Sequence, residues 1–524
     1  MKKVLGSVVG SAVLFAIVAG LTAAPAIAAE LRVTGFIDNV FPHWDSNLSG
    51  IDQDPTRKES TFMGRTRLRN FFNYIASDNL RGVFAIEIDQ FYGAPSASAR
   101  GEGACIPGEQ AFVNESCGFD NGIDNNVIEV KQVYVDLRVP QIPIGNRWRL
   151  GGLPFTVTPL HSQVLYTMDA GGGDVRFDFS DQVSMLMYYV QLEEDLDRFR
   201  GSDKVGEDYL TGTTLLLKPI SGLDFHPLFV YYHGQSPFGG AITGSGGPFN
   251  AIAQDTRNVA SESRYYMGFD ARYRIGNTSI EPGFIYLLGS RKFTSSSAAL
   301  TGIRDTDYNA YQGFIQVEHS VGSWEFGAIF GYASGDNANA DLNNRGIGSR
   351  SDVKGFRTLG VDGSHFFGEW FEVFGTSQVD GVGDRDFRRM GEVAKLDRFG
   401  WMQLGGKVEY KVTDNLVVEG AAGGFWTAKK TACSANFRVG SLDGPCTGPG
   451  VPRTGETNDP ALNFTGNSRF LGWEIDAGLR YSIMPGLTWT PRMAYGDFGD
   501  AVAINNRKAQ DTWVVVPARV IYIF

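Results

Sequence analysis

Leu471-Gly472-Trp473-Glu474-Ile475-Asp476-Ala477-Gly478-Leu479-Arg480-Tyr481 is apolar at every odd position and small or charged at every even one. Side chains alternate across a β-strand, so this stretch predicts a strand with one greasy and one polar face. In a soluble sandwich the greasy face would cover a core and the polar face would meet water. In a membrane barrel it faces lipid, and the polar face lines a wet interior. The same period recurs along the chain. Tyr265, Met267, Phe269, Ala271 and Tyr273 alternate with Gly268, Asp270, Arg272 and Arg274. Trp324, Phe326, Ala328, Phe330 and Tyr332 do so with Glu325, Gly327 and Gly331, and Met402, Leu404, Val408 and Tyr410 with Gln403, Lys407, Glu409 and Lys411.

Connection lengths separate the two architectures. Short turns such as Ser77-Asp78-Asn79, Ser180-Asp181, Gly276-Asn277-Thr278, Thr413-Asp414-Asn415 and Met484-Pro485-Gly486 alternate with long polar stretches at 44–60, 93–126, 158–173, 192–207, 236–261, 291–306, 335–398, 427–468 and 497–510. Outer-membrane barrels alternate short periplasmic turns with long external loops, whereas a sandwich has no reason to. The expected class is therefore all-β: a transmembrane antiparallel up-and-down barrel of about 18 strands, with sixteen to twenty compatible. Both termini fall on the short-turn side. The sixth strand is read as 174–180. In 335–398, the segment Gly363–Phe374 reads as an extra hairpin or an inward fold, and the loop as a whole is expected to form a solvated cap.

The chain begins Met1-Lys2-Lys3, followed by an apolar stretch over 4–22 and Ala26-Ile27-Ala28. A positive start, an apolar run and small residues at a cleavage site predict an export signal over 1–28. Residues 29–524 then form a single barrel. Losing Lys2 and Lys3 takes the net charge from −11 to −13. An acidic balance argues against nucleic acid as a partner. No apolar run of helix-spanning length follows the leader. Cys105 with Cys117 and Cys433 with Cys446 are expected to form two local disulfides, as exported chains permit. There is no C-x-x-C, the six histidines are scattered, and neither a metal nor another cofactor is expected. No G-x-S-x-G or H-E-x-x-H occurs, so no enzyme is expected.

The chain ends with Ala518, Val520 and Tyr522 at period two before Phe524. This resembles the C-terminal strand signature of bacterial outer-membrane barrels, and the resemblance implies recognition by the barrel-assembly machinery. Arg65 to Asp89, Gln132 to Arg138 and Trp148 to Leu153 resemble the N-terminal portion of Gram-negative general porins. That resemblance is specific for the class and not for any solute. It implies an outer-membrane channel for passive diffusion of small hydrophilic solutes, monomeric or homotrimeric.

Eighteen strands enclose a space too wide for side chains to fill, so charged inward faces are expected in water. Arg65, Arg67 and Arg69 are successive on one face, with Arg138, Arg149 and Arg176 on nearby strands and Glu87, Asp89 and Asp136 as acidic companions. Such a row either favours anions or braces the wall by pairing with carboxylates. Trp148, Trp324, Trp473, Trp489, Tyr410, Tyr481 and Tyr522 are expected in interfacial girdles. The acidic run 193–197 is a candidate for divalent ions at a lipopolysaccharide surface. The alternative function is a structural or adhesive barrel, or a sheath for a partner protein.

Overall fold

A computed structural model describes residues 29–46, 59–62, 64–92, 127–162, 164–195, 206–234, 259–293, 306–335, 351–359, 370–374, 399–430, 468–502 and 511–524. The leader over 1–28 and all four cysteines lie outside them, as does the end of the acidic run 193–197.

Among the described residues eighteen long strands wind into one antiparallel sheet, each paired with its neighbours in sequence, and two short ones join it, Glu59–Phe62 against the first strand and Ser351–Val353 in parallel with Thr306–Val321. The first, Glu30–Ser46, pairs with Gly64–Ser77 on one side and with the last, Thr512–Ile523, on the other, so the sheet closes. At the seam, the Gly35 and Phe524 backbones exchange two hydrogen bonds of 3.0 Å. Closure leaves no unpaired edge, which hydrocarbon would penalise at several kcal/mol per exposed group. The seventeenth strand breaks into Leu487–Trp489 and Arg492–Phe498 around Pro491, which has no N–H to give the ladder.

The short turns and both barrel ends of the chain share one rim. At Pro485-Gly486 the glycine has φ +80°, where a Cβ would sit 2.5 Å from the Ile523 carbonyl oxygen. Proline followed by a glycine of positive φ is the pairing a type II turn requires. The other rim carries the long connections.

The outward set is apolar and exposed: Leu404 is 58%, Ile475 52% and Val133 52% accessible, with Met267, Phe330 and Met493 beside them. Tyr410, Tyr522 and Trp324 are exposed near the short-turn rim. Toward the other rim, Tyr189, Tyr209, Tyr231 and Tyr265 form a run of ring contacts across successive strands. Trp148, Trp473, Trp489 and Tyr481 are half-buried rather than core residues.

Two expectations change, one about a loop and one about a strand face. The sixth strand runs Thr167–Ser180 and pairs along its whole upper length with Gly145–Thr156, so the expected loop 158–173 shrinks to a tip at 157–166. Local polarity hid this, because Met168 to Gly173 carries little apolar alternation. Leu471, the first residue of the opening stretch, is buried. A register shift between Phe425 and Trp426 against Gly472 and Phe470 removes it from the outward face.

Candidate functional site

The interior is not charged all round. Arg65, Arg67 and Arg69 alternate on the inward face of Gly64–Ser77, and each meets a carboxylate on an adjacent strand. Arg65 reaches Asp38 at 3.1 Å, and Arg519 grips the same carboxylate at 3.0 and 3.1 Å. Arg67 holds Asp89 through both ends of its guanidinium, at 2.7 and 2.6 Å. Arg69 and Lys131 share Glu87. One strand further, Arg81 and Arg147 converge on Asp136, and Arg149 binds Asp174. Paired in this way the arginines cross-link neighbouring strands, and planar guanidinium-to-carboxylate contacts suit that use. Arg176 pairs with Asp178 on its own strand at 2.7 Å and is half exposed. Arg138 stands at the rim end of its row. It lies one residue beyond Val127–Leu137, exposed in the turn, where its backbone N–H donates to Asn79 at 2.8 Å.

A different wall faces these. On strands Leu223–Gly234, Thr278–Phe293, Thr306–Val321 and Trp324–Ala333 the inward positions include Leu228, Val230, Ile285, Leu287, Ala310, Phe314 and Ile329, all buried. Two pieces of connecting chain cover them. The hairpin tip 157–166 turns into the barrel above a hinge of paired glycines, Gly151 opposite Gly172 and Gly152 opposite Gly171. Gly151 has φ +133°, and a Cβ there would lie 2.3 Å from the Val133 carbonyl oxygen. Beyond the hinge Leu153, Phe155, Val157, Leu165 and Tyr166 are almost wholly buried. The second piece, 354–359, lies beside the tip, with the Leu359 N–H donating to the Leu165 carbonyl at 2.9 Å. The Gln312 amide fixes the Val164 carbonyl at 2.8 Å and the Tyr266 hydroxyl fixes the Arg357 carbonyl at 3.0 Å.

At the tip, His161 lies between two wall carboxylates. Its Nε2 is 2.7 Å from Glu281 and its Nδ1 bonds Asp270, while Asp270 also accepts the Leu160 N–H at 2.9 Å. Burial alone would lower this imidazole. The hydrogen bonds to Asp270 and Glu281 outweigh it and raise the group from 6.5 to about 9. The tip is thus clasped by a protonated histidine at neutral pH.

A third inserted piece, 370–374, rests on the strand Phe470–Met484. Glu474 accepts the N–H groups of Glu372, Val373 and Phe374 at 2.7, 2.6 and 2.8 Å, and Asp476 accepts that of Glu372 at 3.2 Å. Arg492 bridges Glu372 and Glu419. Trp370 covers the Lys407 ammonium at 5.2 Å, beside a cavity of about 40 Å³. Phe371 and Phe374 pack on Phe425. The described parts of 335–398 include inward segments, not only a solvated cap, because they carry apolar residues that the inner wall matches.

The inward apolar wall was not anticipated from the sequence, although a signal exists. Leu228-Phe229-Val230-Tyr231-Tyr232 and Phe284-Ile285-Tyr286-Leu287-Leu288 are apolar on both faces, unlike the strict alternation at 471–481. A strand buried on both sides reads as a continuous apolar run.

No family model matches the sequence, and no curated protein matches it. Solved structures of similar shape include Pseudomonas aeruginosa OccK8 (OprE), at 12% identity and TM-score 0.48, covering 96% of this chain and 99% of that one. Acinetobacter baumannii OccAB4 has 9% identity and TM-score 0.48, covering 96% and 100%. Pseudomonas aeruginosa OccD3 (OpdP) has 9% identity and TM-score 0.47, covering 96% and 93%. Identities this low transfer no residue role to this chain.

Proposed function

We propose that the chain is an outer-membrane channel for passive diffusion of small hydrophilic solutes, formed by residues 29–524 after removal of the leader 1–28. The observation that carries this reading is a closed sheet whose outward side chains are apolar and exposed while its inward side chains are charged on one wall. Only a lipid surround makes the first arrangement stable, and only a wet interior the second. Arg65, Arg67, Arg69, Arg149 and Arg176, with Glu87, Asp89 and Asp136, line that interior. Most of them brace the wall, since each pairs with an opposite charge. The inserted pieces at 157–166, 354–359 and 370–374 narrow the passage and set what fits through it. Surrounding lipid and lipopolysaccharide contact the outer faces, and the Tyr522–Phe524 end is what the barrel-assembly machinery engages.

Reconstitution of the purified chain into planar bilayers tests the reading. Stepwise currents in potassium chloride are expected. A folded barrel that stays silent would replace the channel with a structural or sheathing role. A chain that remains a compact monomer in water without detergent would remove the membrane reading altogether.

A further inference from the structure

We propose that Lys429, Lys430 and Arg469, on the outside of the barrel at the long-connection rim, form a docking site for the phosphate groups of a phosphorylated glycolipid of the outer leaflet. The inference rests on the membrane reading above and adds to it one lipid contact and its chemistry. All three side chains are exposed, and among the described residues none of them meets a carboxylate. Inside the barrel, by contrast, Arg65, Arg67 and Arg69 each have one. Three unneutralised cations in one place call for an anion from outside the chain.

The aromatic residues beside them set the depth. Trp426 lies two residues past Gly424, which pairs with the exposed Leu404, so its ring is on the lipid side. It touches Phe470 at 5.7 Å between ring centres, and Trp473 continues the band to Tyr495 at 5.4 Å. Arg469 is a charged neighbour of the Tyr332 hydroxyl, and Tyr332 shares the outward face of the exposed Phe330. This places Arg469 outside the barrel. Trp and Tyr settle at the membrane–water boundary, so cations a few residues beyond them stand at headgroup level. The long connections mark that boundary as the external one.

The cations are held on a fixed platform. Thr427 is fully buried. Its N–H donates to the Arg469 carbonyl at 2.8 Å and its hydroxyl to the Lys429 carbonyl at 2.6 Å. The Lys429 N–H donates to the Phe399 carbonyl at 3.0 Å. The Arg469 Nε donates to the Thr427 carbonyl at 3.0 Å, which orients the guanidinium and leaves both terminal nitrogens without an acceptor among the described residues. A planar guanidinium matches phosphate through two hydrogen bonds, and lysine adds a point charge. A lipid that brings phosphates at headgroup level and acyl chains against the aromatic band satisfies both halves of the surface at once.

The test compares the full-length barrel in detergent with two triple variants. One is Lys429→Gln, Lys430→Gln, Arg469→Gln, and the other keeps the charges as Lys429→Arg, Lys430→Arg, Arg469→Lys. The probes are bisphosphorylated lipid A, the same lipid without its phosphates, and inorganic phosphate, read by native mass spectrometry and by unfolding temperature. Wild type retains the bisphosphorylated lipid and unfolds at a higher temperature with it. Each Lys or Arg at an anionic lipid surface brings about a fivefold gain in affinity, so the glutamine variant needs roughly a hundredfold more lipid for half-saturation. Without lipid it unfolds close to the wild-type temperature, since all three side chains are exposed. The charge-keeping variant binds close to wild type. Equal binding of lipid A by wild type and the glutamine variant overturns the proposal. So does wild-type binding that ignores removal of the phosphates, which would leave acyl chains alone as the contact. A response to inorganic phosphate equal to that for the lipid gives the cations a free anion and overturns the lipid occupant. A dimer that the glutamine variant loses gives the face to a second copy and overturns it too. A barrel that passes no current defeats the channel reading and leaves the lipid test readable, so the two fail separately.

Discussion

On the wall around Arg65, Arg67 and Arg69, each guanidinium finds a carboxylate on the next strand. Around Tyr308, the Arg264 guanidinium pairs with Glu262 and the Arg357 guanidinium lies over the same ring. On the first wall the charges neutralise one another. The second is covered by inserted chain, and its apolar residues hold that chain in place. The difference separates two uses of the same residue type. On the first wall arginine cross-links strands, and around Tyr308 it packs on a ring beneath returning chain. It also shows that an interior wide enough for water can still contain a packed core where loops return into it.

The contrast is broken most severely at Glu474. Glu474→Ala would leave the buried N–H groups of Val373 and Phe374 without an acceptor, at about 1–3 kcal/mol each, and that of Glu372 with Asp476 alone. The segment should leave the interior and single-channel conductance should rise, while Glu474→Gln, which retains one carbonyl oxygen, should show a smaller rise. Unchanged conductance in the alanine variant would mean that 370–374 does not narrow the passage.

A smaller effect is expected at His161. Its folded value of about 9 lies above the ordinary 6.5, so its contribution to holding the hairpin tip is complete below pH 6.5. That contribution fades as pH rises through 9, and conductance should climb over this window. His161→Gln should be flat across it. A pH step that survives the substitution would place the switch elsewhere.

On the paired wall the expected effects are smaller. Arg67→Ala should lower resistance to denaturant by about 1–3 kcal/mol, since Asp89 loses a bidentate partner in a partly buried place. Ion preference, read as the reversal potential in a salt gradient, should shift slightly toward cations, since Asp89 loses its guanidinium. An unchanged reversal potential would place this pair away from the ion path. At the far end of the scale, Asp414→Asn removes the exposed pair with Lys411 at 2.8 Å. It should leave both conductance and unfolding temperature unchanged.

Strand number and closure were legible because the outward face is under one uniform demand, and alternation at 265–273 or 324–332 records it directly. The pairing of the wall arginines was half legible. Residue types and faces gave the candidates, but which carboxylate each meets depends on register between strands, as Arg65 shows by sharing Asp38 with Arg519 far along the chain. The inserted pieces were least legible. Their apolar residues have no period of their own, and they meet strands from 20 to more than 100 residues away. Arg138 illustrates the limit at strand ends, where one residue decides between an inner face and a turn.

The Gly35–Phe524 seam fixes the order of events in making this protein. The two strands that meet there stand almost five hundred residues apart. Until the last strand has been made, the first lacks that mate, and any partial sheet has two sticky borders ready to join a stranger. The circle therefore closes only after its eighteenth strand exists.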